Sequence, residues 1–175
     1  MQINKSHMGE QQVRAFALST IENKYPRDTW LHVNIDGSML NDEDGAGVGV
    51  ACDLFSYYAP IGAHSTHYDV KIEAIYIALK QLAIRPSSFC RAVISSDSLS
   101  ALQSLANRQC TDNTRIKECR ELSTSMSVPF QWIPAHYGNP ENEATDFFAK
   151  KGPRVVQRPL KSLSFHSVKL LIKRK

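Results

Sequence analysis

Trp30-Leu31-His32-Val33-Asn34-Ile35-Asp36 alternates apolar and polar side chains and then meets Gly37-Ser38. A period of two puts Leu31, Val33 and Ile35 on one face of a strand, and the small residues after Asp36 mark turn chemistry. The strand therefore delivers a carboxylate as its apolar run ends. Downstream, Ala46 to Phe55 and Tyr57 to Ile61 read as two further strands. Between the first strand and these lies Asn41-Asp42-Glu43-Asp44-Gly45, a run of turn formers. Three consecutive strands at this spacing make an antiparallel meander.

From Val70 to Leu82 the period changes. Ile72, Ile75, Leu79 and Leu82 recur at steps of three and four, which predicts a helix closed by Pro86. Arg91 to Ser96 carries a short buried strand around Ala92-Val93-Ile94, and Ser98 is placed to cap a helix reaching about Ala106. Thr114 to Met126 reads as a helix and Val128 to Ile133 as the fifth strand. Glu141 to Lys151 is the last helix, with Gly152 just beyond it. Upstream, Gln11 to Lys24 places Val13, Phe16, Ala17 and Ile21 near one face of an amphipathic helix that ends at Tyr25-Pro26. Strands alternating with helices in the second half imply parallel pairing there. The expected class is α/β: a five-stranded mixed sheet, three antiparallel strands then two parallel, flanked by helices.

A chain of 175 residues suits one domain with short extensions. The reading divides it into an N-terminal extension (1–28), a central domain (29–152) and a basic tail (153–175). A hydrophobic content of 42% with 22% charged residues fits a globular protein and argues against disorder. No apolar run reaches the roughly 18 residues of a membrane span, and the first ten residues are polar. Cytoplasm or nucleus is the expected location. Cys52, Cys90, Cys110 and Cys119 show no zinc-type spacing and read as reduced, mostly buried thiols. From Lys150 onward there are nine basic residues and no acidic one, against 12 basic and 17 acidic before it. A basic tail on an acidic body suits a polyanionic partner.

Four carboxylates stand at strand or helix ends: Asp36, Glu73, Asp97 and Asp146. Burying unpaired charge is costly, so four converging acids need cations between them. Hard divalent ions take oxygen ligands, and two of them about 4 Å apart activate a water and stabilise a leaving phosphodiester oxygen.

The blocks Ile35-Asp36-Gly37-Ser38, Ile72-Glu73-Ala74-Ile75, Ser96-Asp97-Ser98 and Trp132-Ile133-Pro134-Ala135-His136-Tyr137-Gly138, followed by Asn142-Glu143-Ala144-Thr145-Asp146, carry a family resemblance. In this order they resemble the four signature blocks of ribonuclease H, above all the domains attached to reverse transcriptases of non-LTR retroelements. The resemblance spans about Trp30 to Gly152. It implies a ribonuclease H-like fold and an endonuclease cutting the RNA strand of RNA–DNA hybrids, leaving a 5′-phosphate and a 3′-hydroxyl. It implies two Mg²⁺ ions, with Mn²⁺ as a substitute, held by Asp36, Glu73, Asp97 and Asp146. His136 would match the family's mobile histidine, assisting proton transfer and product release. The implied partners are the hybrid and a reverse transcriptase or longer retroelement polyprotein, with the domain itself a monomer and no membrane involved.

The chain departs from the family in two places. Glu141 stands where the family usually has glycine, adding negative charge near the site. The segment between the Asp97 helix and the fifth strand lacks a long basic protrusion. These departures sustain a second reading, a weak or inactive nucleic-acid-binding module of retroelement origin. A third reading, an integrase or 3′–5′ exonuclease on the same superfamily fold, conflicts with the Trp-Ile-Pro-Ala-His stretch.

Other motifs have plainer readings. Glu143 complements a helix N-terminus or serves as a fifth acid. His64 and His67 form an HxxH without a further ligand. Gly45-Ala46-Gly47-Val48-Gly49 precedes a strand rather than a helix, so it is no phosphate loop. Trp132 reads as core packing. The tail is either an amphipathic basic helix or the cut end of a longer polyprotein.

Overall fold

The computed structural model describes residues 9–39, 45–62, 65–107, 109, 113–135, 140–154, 169 and 172. In chain order the elements are α1 (Glu10–Lys24), β1 (Leu31–Met39), β2 (Ala46–Cys52), β3 (Phe55–Gly62) and α2 (His67–Ala83). There follow β4 (Ala92–Ser96), α3 (Leu99–Ala106), α4 (Thr114–Met126), β5 (Phe130–Trp132) and α5 (Pro140–Lys151), with a 3-10 turn at Gly152–Arg154. The sheet order is β3-β2-β1-β4-β5. β2 pairs antiparallel with β1 and β3, while β4 pairs parallel with β1 and β5. This is the mixed sheet expected from the alternation of the sequence.

Helices cover both faces, and two glycines set how closely they approach. A Cβ on Gly37 would meet the Val70 side chain of α2 at 2.4 Å. A Cβ on Gly49 would stand 2.3 Å from the Thr145 carbonyl oxygen and 2.6 Å from the Ala149 nitrogen, both on α5. Asp36 is the Cα partner of Gly49 in the β1–β2 ladder. Paired residues of an antiparallel ladder share a face, so Asp36 lies on the α5 side and Gly37, its neighbour, on the α2 side. The main core lies under α2, where Val70, Ile72, Ala74, Ile75, Ala78, Leu79 and Leu82 are buried against Val33, Ile35, Val48, Val50 and Ile94.

Several boundaries differ from the expected ones, each for a local reason. α2 starts three residues before Val70 because Thr66 and Asp69 form a capping box. The Thr66 hydroxyl accepts from the Asp69 amide at 3.2 Å, and the Asp69 carboxylate accepts from the Thr66 amide at 3.0 Å. β2 stops at Cys52 because Asp53 and Leu54 make the hairpin turn into β3. β5 has only three residues. Ser127 turns into the left-handed region at φ 53°, and Pro129 has no amide to donate, so the ladder begins at Phe130.

α1 packs by a narrower stripe than its sequence suggests. Ile21 is buried beside Ile133, with Leu18 partly covered, whereas Phe16 is 48% exposed. Tyr25, just after the helix, is buried and its carbonyl lies 2.7 Å from the His32 Nε2. Of the cysteines, Cys119 is buried, Cys52 half-buried and Cys90 exposed, so burial is less general than expected. Burial pushes the Cys119 thiol up to about 12. Cys110 and His64 lie outside the described residues, as does nearly all of the tail. Among the described residues no helix is long and apolar enough to cross a membrane.

The contact at Gly49 yields a direct test. Gly49→Ala must push α5 off the sheet, and such overpacking costs about 1–3 kcal/mol. Chemical denaturation is expected to show that loss; a variant as stable as the parent would mean that α5 is not held against β2 as described.

Candidate active site

The parallel pairing of β1 and β4 decides which carboxylates meet. Val33 and Asn34 pair with Ile94 and Ser95. Continuing that register for two residues brings Asp36 level with Asp97, just past the end of β4. Ser96 and Trp132 hold that end in place. The Ser98 amide donates to the Ser96 hydroxyl at 3.2 Å, and the Trp132 indole N–H donates to the Asp97 carbonyl at 3.1 Å. Trp132 thus anchors the strand end, and it is only half-buried.

Between the two carboxylates lies a lysine. Lys71 Nζ donates to Asp36 Oδ1 at 2.7 Å and to Asp97 Oδ1 at 2.6 Å. The three side chains are 12%, 20% and 30% exposed respectively. Burial works against the charged form of Lys71, yet Asp36 and Asp97 together outweigh it and hold its pKa above the ordinary lysine value. The residue therefore stays an ammonium.

Asp146 sits on α5, the helix that Gly49 admits close to β2, and is paired with Lys150 one turn on at 2.5 Å. That hydrogen bond raises the Lys150 pKa, and Asp36 adds to the effect through space. Asp36 thus feels both lysines, and Asp146 stands on the same side of the sheet. The described part of the site is three carboxylates answered by two ammonium groups from the chain itself.

Glu73 does not join them, contrary to the expectation that placed it beside Asp36 and Asp97, and is paired with Arg115 instead. Two helical residues apart from Lys71, it points about 200° away around α2. Lys71, Ala74, Ile75 and Ala78 share one stripe at i, i+3, i+4 and i+7, and its last three members are fully buried. Glu73, Tyr76, Ile77 and Lys80 form the other stripe, half-buried to exposed. On that side Glu73 accepts from Arg115 Nε of α4 at 2.7 Å, and Arg115 also donates to Glu118 at 2.6 Å. The guanidinium lies 3.7 Å from the centre of the Tyr76 ring. Burial opposes the Arg115 charge, but Glu73 and Glu118 more than compensate and hold its pKa above the ordinary value.

Among the described residues, no group of three or more His, Cys, Asp or Glu side chains is placed to hold a metal ion. His136 lies outside the described residues, as do the side chains of Glu141 and Glu143. Lys71 is the site residue that a reading of the acids alone passes over. Its signal was present in the sequence: it falls on the stripe with Ala74 and Ala78, whose small size suits a face laid on a sheet.

The RNase H family pattern matches residues 28–154. Over 138 residues the chain is 25% identical to proteins named ribonuclease H from Shewanella sp. (strain W3-18-1) and Shewanella putrefaciens (strain CN-32 / ATCC BAA-453). Each match covers 69% of this chain and 86% of the relative. In structure the chain is similar to RNase H1 from the halophilic archaeon Halobacterium salinarum NRC-1, with a TM-score of 0.54 and 19% identity. That superposition covers 70% of this chain and 96% of the archaeal one, and supports the fold.

The Glu73–Arg115 pair makes a prediction of its own. Arg115→Met leaves a half-buried carboxylate without its partner, costing about 1–3 kcal/mol at neutral pH. Burial already holds the Glu73 pKa above the ordinary value despite Arg115, and loss of Arg115 raises it further, so the penalty is complete above that raised value and is gone once pH falls to about 4. Denaturation curves are expected to show that loss at pH 7, little at pH 4, and recovery in the Arg115→Met/Glu73→Gln double variant. Equal losses at both pH values without recovery would remove Glu73 from this pairing.

Proposed function

The chain belongs to the ribonuclease H family, and from that premise we propose that it engages RNA–DNA hybrids at the face where Asp36, Asp97 and Asp146 gather. There it hydrolyses the RNA strand, leaving a 5′-phosphate and a 3′-hydroxyl, at a rate held far below that of a complete carboxylate set. One observation carries this reading. Asp36 within β1 stands level with Asp97, just past the end of the parallel neighbour β4, on a sheet whose pattern matches the family over most of the chain.

The divalent ions that the family uses would supply an activated water and stabilise the leaving oxygen. As the chain stands, the described residues do not fit a pair of Mg²⁺ or Mn²⁺ ions. Among the described residues only two carboxylates face one another, and an ammonium lies within hydrogen-bond reach of both. The expectation of a four-acid cage with Glu73 as a member therefore gives way to a centre built on Asp36 and Asp97, with Asp146 beside them.

The chain's own residues support substrate binding more strongly than turnover. Lys71 and Lys150 offset the charge that would repel a phosphodiester from three aspartates. Recognition of the RNA strand would come from its 2′-hydroxyls, which DNA lacks. His136, which follows β5 in the sequence, would assist proton transfer. A retroelement origin, with a reverse transcriptase or polyprotein as partner and a monomeric domain, rests on the resemblance in the four sequence blocks. The lysine between Asp36 and Asp97 favours a second reading, a hybrid-binding module with negligible turnover.

A strand-labelled hybrid incubated with Mg²⁺ and with Mn²⁺ separates these readings. The expected result is salt-dependent binding and slow cutting of the RNA strand alone. Asp36→Asn should reduce cutting by at least about 100-fold, since even outer partners of a metal site cost 10–100-fold. Binding without any cutting would establish the second reading. Cutting unchanged by Asp36→Asn, or equal affinity for duplex DNA, would overturn the proposal.

A further inference from the structure

A site with two facing carboxylates is unstable without a cation, and here the chain provides one. We propose that Lys71 is the resident cation of this site, its ammonium taking the place between Asp36 and Asp97 that a divalent ion would occupy, and thereby weakening the site's hold on metal. The proposal rests on reading this face as the hydrolytic centre, but it is tested by metal binding rather than by cutting.

Geometry carries it. Nζ lies at 2.7 Å from Asp36 and 2.6 Å from Asp97, with the lysine side chain 12% exposed. The backbone leaves Lys71 little choice of direction. Its neighbour Val70 is pressed against Gly37, next to Asp36, and the stripe it shares with Ala74 and Ala78 is laid on the sheet. The N-terminus of α2 is in turn held by the Thr66–Asp69 capping box. Glu73 cannot be rotated in to replace the lysine, because it is on the far stripe and tied to Arg115.

The consequence is a reversal of charge at one position. A carboxylate at residue 71 would make a third oxygen ligand beside the Asp36–Asp97 pair. An ammonium there repels a divalent ion and competes for the same two oxygens. At close range and partial burial, one unit charge is worth several kcal/mol, a factor of on the order of 100 or more in affinity. Lys71 therefore gives a pair that is stable without metal and binds it only weakly.

The test uses the full chain with Mn²⁺ alone as the probe, followed by titration calorimetry and by thermal unfolding with and without the ion. The parent protein is expected to bind Mn²⁺ weakly and to keep its melting temperature. Lys71→Glu should bind at least about 100-fold more tightly and melt higher with Mn²⁺, and Asp36→Asn in that background should abolish the gain. Lys71→Met keeps the apolar stem but removes the charge. It should melt lower than the parent without metal and recover with Mn²⁺, which loss of a merely structural ion pair would not do.

Parent binding as tight as that of Lys71→Glu, or a Lys71→Met variant that Mn²⁺ fails to restore, would overturn the proposal. If Lys71→Glu does not fold, Lys71→Met decides. Metal behaviour as expected in a protein that ignores RNA–DNA hybrids would leave Lys71 as the resident cation and instead refute the hybrid-directed function.

Discussion

Two carboxylates brought level on adjacent parallel strands repel one another unless a cation lies between them. β1 and β4 force that situation on Asp36 and Asp97, because the register that pairs Asn34 with Ser95 brings the two acids level. The cation is the ammonium of Lys71, hydrogen-bonded to both. The rest of the site is arranged around this contact. Asp146 and Lys150 form a second, more exposed pair on the same side, and the field of Asp36 reaches Lys150.

The fold makes the contact possible by letting helices come unusually close to the sheet at two adjacent points. Gly37 admits α2 on one face and Gly49 admits α5 on the other. Asp36 stands between these points in the ladder, next to Gly37 in sequence and opposite Gly49 in register. A side chain at either glycine would move a helix, and with it either Lys71 or Asp146. The site is thus a property of packing distances as much as of its charged groups.

Much of this was legible in the sequence, and what was not has a physical cause. Alternation in Leu31-Val33-Ile35 and the three- and four-residue steps of Ile72, Ile75, Leu79 and Leu82 were enough to give the mixed sheet and the covering helix. Asp36 and Asp97 could be placed together because each follows the apolar run of a strand and the two strands pair in parallel, although β1 continues past the expected end at Asp36 to Met39. Glu73 could not be placed that way, because on a helix a shift of two residues turns a side chain to the opposite face. The phase of α2 was readable from Ala74 and Ala78, but it pointed to a lysine, and a search for acids does not score a lysine. The capping box that extends α2 lay in polar residues outside the apolar periodicity, and β5 was shortened by Pro129, whose missing amide the apolar pattern does not register.

Family membership and local chemistry therefore separate in this chain. The sheet and the order of elements are those of the ribonuclease H family, while the ammonium between Asp36 and Asp97 is the protein's own. The most direct measurement is a crystal structure of the parent protein soaked in Mn²⁺, with anomalous scattering recorded at the metal edge. The account predicts continuous density from Lys71 to both aspartates and no anomalous peak between them. A strong peak coordinated by Asp36 and Asp97, with Lys71 swung out, would contradict it.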